Sequence, residues 1–203
     1  FCLSRGLGDV YKRQVTNLLR TMTSGVSSAL IPIYLQGRFN LTYGELGFYI
    51  SLSGASALIG APLASRFTTL GRRSRFIMLT QPILLPLYLC FVLVGSIQAA
   101  VISLMIINLL GGMTGPLIDT LISDIAPPDK IGSAYGVVDT FMRVGISVGN
   151  VIGGYAAEYL GFQAVFIISG LIALATSIPM LLFRRSVSQT YGSSKTESSL
   201  PTI

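Results

Sequence analysis

Long apolar stretches alternate with short polar segments along most of this chain. From Val15 onward the apolar stretches recur at about 20 residues, enough for a helix rising about 1.5 Å per residue to cross roughly 30 Å of hydrocarbon. The pattern predicts six membrane-spanning helices, numbered here as spans one to six. They run approximately from Val15 to Gln36, Gly44 to Arg66, Phe76 to Gly95, Ala99 to Ile122, Ile131 to Leu160 and Phe162 to Phe183.

Polar residues in span one recur at three- and four-residue spacing and therefore share one helix face. This stripe consists of Asn17, Arg20, Thr21, Ser24, Ser27 and Ser28. Ser and Thr readily bond back to their own helix, but Asn and Arg in the same stripe favour a face that lines a solute path. Span four has a related stripe with Asn108 and Asp119. Asp119 is either functional or a carboxylate that faces interfacial water.

Span five has two distinct faces. Asp139, Arg143 and Asn150 lie on one of them, about 13 to 20 Å along the helix for the first two, where a lone charge costs at least about 2.5 kcal/mol. The pair must therefore face water or neutralise itself as an i,i+4 ion pair, and we favour a functional role. Small residues on this span predict close packing against another helix. They are Gly136, Gly145, Gly149, Gly153 and Gly154.

The order of helix types repeats after three spans. A polar-striped helix, a helix rich in small residues and an apolar helix are followed by the same three types. This predicts a three-plus-three repeat, with spans three and six as lipid-facing supports.

Composition agrees with the membrane interpretation. Of 203 residues, 51% are hydrophobic and 11% charged, too few charges for a water-soluble surface or for a disordered chain. The chain has no His and no Trp, which removes Ser-His-Asp catalysis and His-ligated metal sites. We expect neither enzyme activity nor a cofactor or metal.

Basic residues are distributed unevenly between the predicted loops. One side has only Arg38, whereas the other side has eight basic residues: Arg66, Arg72, Arg73, Arg75, Lys130, Arg184, Arg185 and Lys195. Since Lys and Arg flanking short loops stay on the cytoplasmic side, both termini are predicted to face the cytoplasm. The predicted location is the plasma membrane or a bacterial inner membrane. The net charge of +6 therefore needs no nucleic-acid partner.

The two ends differ from the middle. Residues 1–14 contain neither an initiator Met nor an apolar run, and we interpret them as a non-native leader, with a short cytoplasmic tail as the alternative. Residues 15–185 are predicted to form the six-span domain. Residues 186–203 are rich in Ser, Thr and charge and are predicted to form a disordered cytoplasmic tail.

Three segments resemble conserved features of the major facilitator superfamily of transporters. The segment GAPLASRFTTLGRRSR resembles the family signature between the second and third helices of a half, with Ser65 in place of the usual Asp. The segment ISDIAPPDKIGSAYG resembles the link between the fourth and fifth helices. The glycines of span five resemble the antiporter glycine motif, with Asn150 in place of its Pro.

The resemblance implies one six-helix half of a twelve-helix transporter, and therefore a second six-helix half as partner. The C-terminal half is favoured, because Asn108 occupies the position at which N-terminal halves commonly carry an Arg, although the glycine motif is better known from N-terminal halves. The resemblance also implies a cytoplasmic gate, with Asp124 pairing with Arg66 or Arg73. The gate set consists of Gly60, Arg66, Gly71, Arg72, Arg73 and Asp124.

The resemblance implies secondary active transport of a small solute by alternating access, with a coupling proton or ion. Asn17, Arg20, Asn108 and Asn150 are expected to bind the solute. Arg143 is expected to attract an anionic group, while Asp139 or Asp119 takes a proton or holds a charge partner. The alternative is a non-transporting membrane scaffold or sensor that acts through helix contacts.

Overall fold

The computed structural model describes residues 17–66, 70–125 and 131–177, and these residues form helices joined by short turns, without a β-strand among them. The predicted all-α fold is confirmed. The leader and the tail lie outside the described residues. The helices are α1 (17–28), α2 (Ile31–Phe39), α3 (Tyr43–Ala64), α4 (Leu70–Leu93), α5 (Ile97–Ile125), α6 (Ile131–Leu160) and α7 (Phe162–Ser177).

Span one is not a continuous helix but the pair α1 and α2, which are separated by a turn at residues 29 and 30. Pro32 lies in the first turn of α2 and has no amide hydrogen to donate to the carbonyl of Ser28. The helix ends and restarts at this point, and the amide of Leu30 donates to the carbonyl of Ser27 at 3.1 Å. Other prolines, such as Pro86 and Pro116, lie inside unbroken helices.

Three described helices are long and apolar enough to cross a membrane: Tyr43–Ala64, Arg75–Leu93 and Ile97–Thr120. The helix Phe162–Ser177 is apolar but shorter. These helices support an integral membrane protein, whereas the count of six spans stays a prediction.

A capping box fixes the start of α3. The side chain of Thr42 accepts a hydrogen bond from the amide of Glu45, and the Glu45 carboxylate accepts one from the Thr42 amide at 2.9 Å. This reciprocal arrangement satisfies two amides that a helix start leaves without intrahelical partners. Asn40 ends α2 in the left-handed conformation, with φ of 49°. Local chemistry thus defines the turn between spans one and two.

Glycines bring two pairs of helices into backbone contact. A Cβ atom on Gly149 of α6 would lie 3.0 Å from the Cα atom of Gly25 in α1, closer than a side chain tolerates. In the same way, a Cβ atom on Gly60 of α3 would lie 3.1 Å from the carbonyl carbon of Gly112 in α5. Spans one and five thus cross at a pair of glycines, and so do spans four and two. This correspondence is the one that the three-plus-three repeat requires.

The remaining two spans also pack closely against each other. A Cβ atom on Gly170 of α7 would lie 3.1 Å from the Cα atom of Leu85 in α4. Beside this contact, Phe166 of α7 meets Phe91 of α4 edge to face at 4.9 Å and Tyr34 of α2 at 5.1 Å between ring centroids. The Tyr34 hydroxyl donates to the carbonyl of Val92 at 3.2 Å, so its polar end is satisfied in the buried cluster.

Candidate functional site

A polar cavity of about 140 Å³ lies between α1, α4 and α5. Polar and apolar side chains both contribute to its lining. The lining residues are Arg20, Thr23, Ser24, Thr80, Gln81, Leu84, Tyr88, Ile107, Asn108, Leu110, Gly111 and Thr114. Two of the predicted solute-path residues, Arg20 and Asn108, are therefore brought together here from helices that are distant in sequence.

Arg20 supplies the cation of this cavity. Its Nε atom donates to the Oδ1 atom of Asn17 at 3.4 Å, which is long for such a bond. Asp119 interacts electrostatically with Arg20 from the other polar stripe, and its own side chain is exposed. Four predicted path residues, Asn17, Arg20, Asn108 and Asp119, thus lie in one part of the molecule.

The hydroxyl groups of span one divide between two roles. Thr21 donates to the carbonyl of Leu18 at 2.9 Å and packs against Gly145 of α6, so it does not line the cavity. Ser27 donates to the carbonyl of Thr23 and contacts the hydroxyl of Tyr88 at 2.9 Å. The stripe is therefore not a single water-facing surface. Backbone bonding, the alternative weighed for Ser and Thr, accounts for both of these residues.

Spans three and six, predicted to be lipid-facing supports, expose large apolar side chains such as Ile83 and Leu171, and they also bury polar side chains. Thr80 and Gln81 of α4 are buried and line the cavity, and Thr176 of α7 is fully buried and donates to the Oε1 atom of Gln81 at 3.3 Å. Gln81 stands in a long apolar stretch, where an unpaired amide would be costly. That isolated Gln was the signal in the sequence, and its register with Leu84 and Tyr88 gives the cavity-facing side of α4.

Asp139 and Arg143 form an ion pair along α6. The Nε atom of Arg143 lies 2.7 Å from the Oδ2 atom of Asp139, and the Arg143 and Asp139 side chains are 76% and 57% exposed. Asn150, on the same side of the helix, is also exposed. The polar face of α6 is thus separate from the cavity around Arg20, and the structure brings three predicted path residues together on it.

The glycines of α6 are not equivalent. Gly145, Gly149 and Gly153 are buried against α1. Gly136 and Gly154 have no described atom within 4 Å of an added Cβ atom, so the packing role of these two stays a prediction. Each lies nine residues from Gly145, which at about 100° per residue is half a turn of the helix away.

The predicted gate is described only in part. Gly60 packs against the backbone of α5 and therefore serves a helix crossing. Arg66 lies exposed in the turn after α3, where its amide donates to the carbonyl of Leu63. Gly71, Arg72 and Arg73 lie in α4 and Asp124 lies in α5, but their side chains lie outside the described residues, so the pairing of Asp124 with Arg66 or Arg73 remains a prediction.

Comparison with known proteins identifies a common family. The family model described as Major Facilitator Superfamily matches residues 15–202. The MFS-type transporter ppzB of Metarhizium rileyi is 24% identical over 183 residues, which are 83% of this chain and 36% of that protein. A multi-drug resistance efflux pump PmrA homolog of Lactococcus lactis is 42% identical over 71 residues, which are 34% of this chain and 18% of that protein.

A solved structure shares the fold. The crystal structure of the human organic anion transporter MFSD10 (TETRAN) superimposes with a TM-score of 0.78 and 15% identity, over 86% of this chain and 41% of that chain. The chain spans roughly two fifths of that protein's length and about a third of the length of ppzB.

Proposed function

The chain belongs to the Major Facilitator Superfamily, and from this membership we propose that it forms one six-helix half of a secondary active transporter for a small organic solute. Transport by alternating access requires a second half that encloses the solute path and rocks against the first. The C-terminal half is the position that we propose for this chain. We place it in the plasma membrane or a bacterial inner membrane, with both termini cytoplasmic.

The exposed ion pair of α6 carries this proposal. A charged pair in the interior of a 30-residue helix is costly against lipid, yet Asp139 and Arg143 have more than half of their side-chain surfaces uncovered. Water or protein must therefore face them in the membrane. A second half that encloses a water-filled path meets this requirement, whereas a helix that only supports the bundle has no need of the pair.

The two polar regions have separate proposed roles. Asn150 with the Asp139–Arg143 pair would face the path between the halves, and Asp139 would take a coupling proton or hold the charge of Arg143. Arg20 and Asn108 would contact the solute from the cavity beside the path, with Asn17 accepting a hydrogen bond from Arg20 and Asp119 balancing its charge. At the cytoplasmic end, Asp124 would latch onto Arg66 or Arg73 when that side closes.

The names of the relatives agree with a small organic solute. The Lactococcus lactis relative is a multi-drug resistance efflux pump homolog, and a Staphylococcus aureus relative that matches 73% of this chain is a staphyloferrin B transporter. We propose the same broad solute class here and leave import and export open to the experiment.

Transport in everted membrane vesicles tests the proposal. The full protein would be expressed in bacteria that lack their own drug efflux pumps, and uptake of cationic, neutral and anionic organic dyes would be followed with and without an imposed pH gradient. We expect gradient-driven accumulation of at least one dye class above vesicles without the protein. If no class accumulates although the protein is inserted, the scaffold or sensor alternative replaces transport.

A further inference from the structure

Several hydrogen-bond donors that face the cavity between α1, α4 and α5 have no acceptor among the described residues. Arg20 has its single long bond to Asn17, which leaves the terminal nitrogens of the guanidinium. The Asn108 amide has no hydrogen-bond partner among the described residues, although it lines the cavity. The Oε1 atom of Gln81 lies 3.3 Å from the Thr176 hydroxyl, which also donates to the closer carbonyl of Ala173 at 2.6 Å, and the amide nitrogen of Gln81 has no partner among the described residues.

The hydroxyl groups of the cavity are engaged differently. Thr23 donates to the carbonyl of Leu19, Thr114 to that of Gly111 at 3.0 Å, and Thr80 to that of Phe76 at 2.6 Å. Because these hydrogens are directed to the helix backbone, the donors without a partner among the described residues are the guanidinium of Arg20, the two side-chain amides and the hydroxyl of Ser24. A cavity with a cation and two amide donors matches an anion that accepts several hydrogen bonds.

The other arginine of the polar faces is already neutralised. Arg143 lies 2.7 Å from a carboxylate oxygen of Asp139, so its charge is matched within its own helix. Arg20 has no contact of that length among the described residues, and Asp119 acts on it only through electrostatic attraction. The role of attracting an anionic group therefore fits Arg20 better than Arg143.

The size of the cavity defines the part of a ligand that fits. About 140 Å³ corresponds to roughly four or five waters at about 30 Å³ each, well below the roughly 300 Å³ at which drug-sized sites begin. A carboxylate and the carbon atoms next to it fit this space. Ser24 lines the cavity and is itself exposed, so the cavity is open on that side and the rest of a solute extends through the opening.

We propose that this cavity, which is built from one half alone, binds the carboxylate group of the transported solute. Arg20 supplies the bidentate charged contact, and Asn108 and Gln81 donate one hydrogen bond each. Asp119 balances Arg20 while the cavity is empty. The inference rests on the proposed transport function and makes it specific, since it assigns organic carboxylates as the solute class.

Binding of benzoate, with uncharged benzamide as a probe of the same shape, tests the inference on the full protein purified in detergent. We expect benzoate to raise the melting temperature in a saturable way and benzamide to leave it unchanged. Arg20→Met should weaken benzoate binding by about 10- to 100-fold, the size of a lost charge-assisted contact. Arg38→Met removes an exposed Arg outside this cavity and should leave binding unchanged.

A second variant keeps the test decisive if Arg20→Met does not fold. Asn108→Ala keeps the cation of the cavity and should weaken benzoate binding by about 10-fold, the lower end of the range for one hydrogen bond to a charged group. Equal shifts with benzoate and benzamide, no shift with either, or full benzoate binding in a folded Arg20→Met protein would overturn the inference. Vesicle uptake separates this from the proposed function, because movement of cationic or neutral dyes without benzoate binding removes only the carboxylate site.

Discussion

The hydroxyl oxygens of Ser27 and Tyr88 lie 2.9 Å apart in the interior and join α1 to α4. Both residues are buried, and Tyr88 also stacks on Phe166 of α7 with 6.3 Å between ring centroids. Tyr88 thus connects the wall of the polar cavity to the aromatic cluster, and its hydroxyl group has Ser27 as its partner.

Tyr88→Phe should lower stability by about 0.5 to 1.5 kcal/mol, the usual net value of one hydrogen bond. Ser27 keeps its bond to the carbonyl of Thr23, so the variant leaves no unsatisfied serine and the loss stays moderate. The measurement is thermal unfolding in detergent. Tyr155→Phe is the matched control, because Tyr155 is 61% exposed; an equal loss in both variants would refute the role of the Ser27 contact.

Gly149→Ala should destabilise the protein, whereas Gly154→Ala on the same helix should not. A Cβ atom at position 149 would lie 2.9 Å from the backbone nitrogen of Val26, and α1 would have to move, at a typical cost of about 1 to 3 kcal/mol. At position 154 the added Cβ atom meets open space, and alanine gains up to about 1 kcal/mol of helix propensity.

The difference between these two variants is the measured quantity, because both replace Gly by Ala in one helix. Expression level and melting temperature would be compared side by side. Similar melting temperatures for both variants would contradict a close crossing between α1 and α6.

Asp139→Asn should reduce gradient-driven uptake by about tenfold, equivalent to roughly 1.4 kcal/mol, while membrane insertion is retained. The substitution keeps the side-chain shape but removes the charge that Arg143 contacts at 2.7 Å. Glu158→Gln provides the control, since Glu158 is another exposed carboxylate of α6 and lies outside the proposed path. Unchanged uptake and unchanged pH dependence in Asp139→Asn would assign the ion pair a structural role alone.

Cysteine labelling should determine the orientation. In a background in which Cys2 and Cys90 are replaced by Ser, Gln98→Cys should react with a membrane-impermeant maleimide in intact cells. Arg66→Cys should react only after permeabilisation. Both positions are exposed in the structure, so accessibility depends on the side of the membrane. The reverse pattern would place the basic loops outside the cell, against the positive-inside rule.

Apolar stretch lengths and helix periodicity were sufficient to predict the helical fold, whereas the family was predicted from the resemblance of three motif segments. Periodicity also indicated which face of each helix carries polar groups, because it depends only on the helix itself. Span one was predicted to end at Gln36 and α2 ends at Phe39, but the break after Ser28 was missed. Proline is common within membrane helices, and only the neighbouring packing decides whether a helix continues past it.

Only some of the cavity-lining residues could be predicted from the sequence. Arg20 and Asn108 belong to polar stripes that a single sequence displays, but their meeting depends on which helices are adjacent. Gln81 was not among the predicted path residues, because its helix is otherwise apolar and an isolated polar residue gives no periodic signal. Gly60 was assigned to the loop signature because of the family resemblance. Its packing against Gly112 could not be predicted, because Gly112 belongs to a helix that is far away in sequence.

The two glycine crossings have a consequence for assembly. Gly25 against Gly149 and Gly112 against Gly60 are the same contact made twice with the roles of the two triplets of spans exchanged, as in an isologous interface between identical subunits. Each triplet of spans contributes one glycine to each of the two crossings. A self-complementary surface of this kind needs no second set of specificity residues, and one linker is enough to convert a dimer of triplets into a single folding unit.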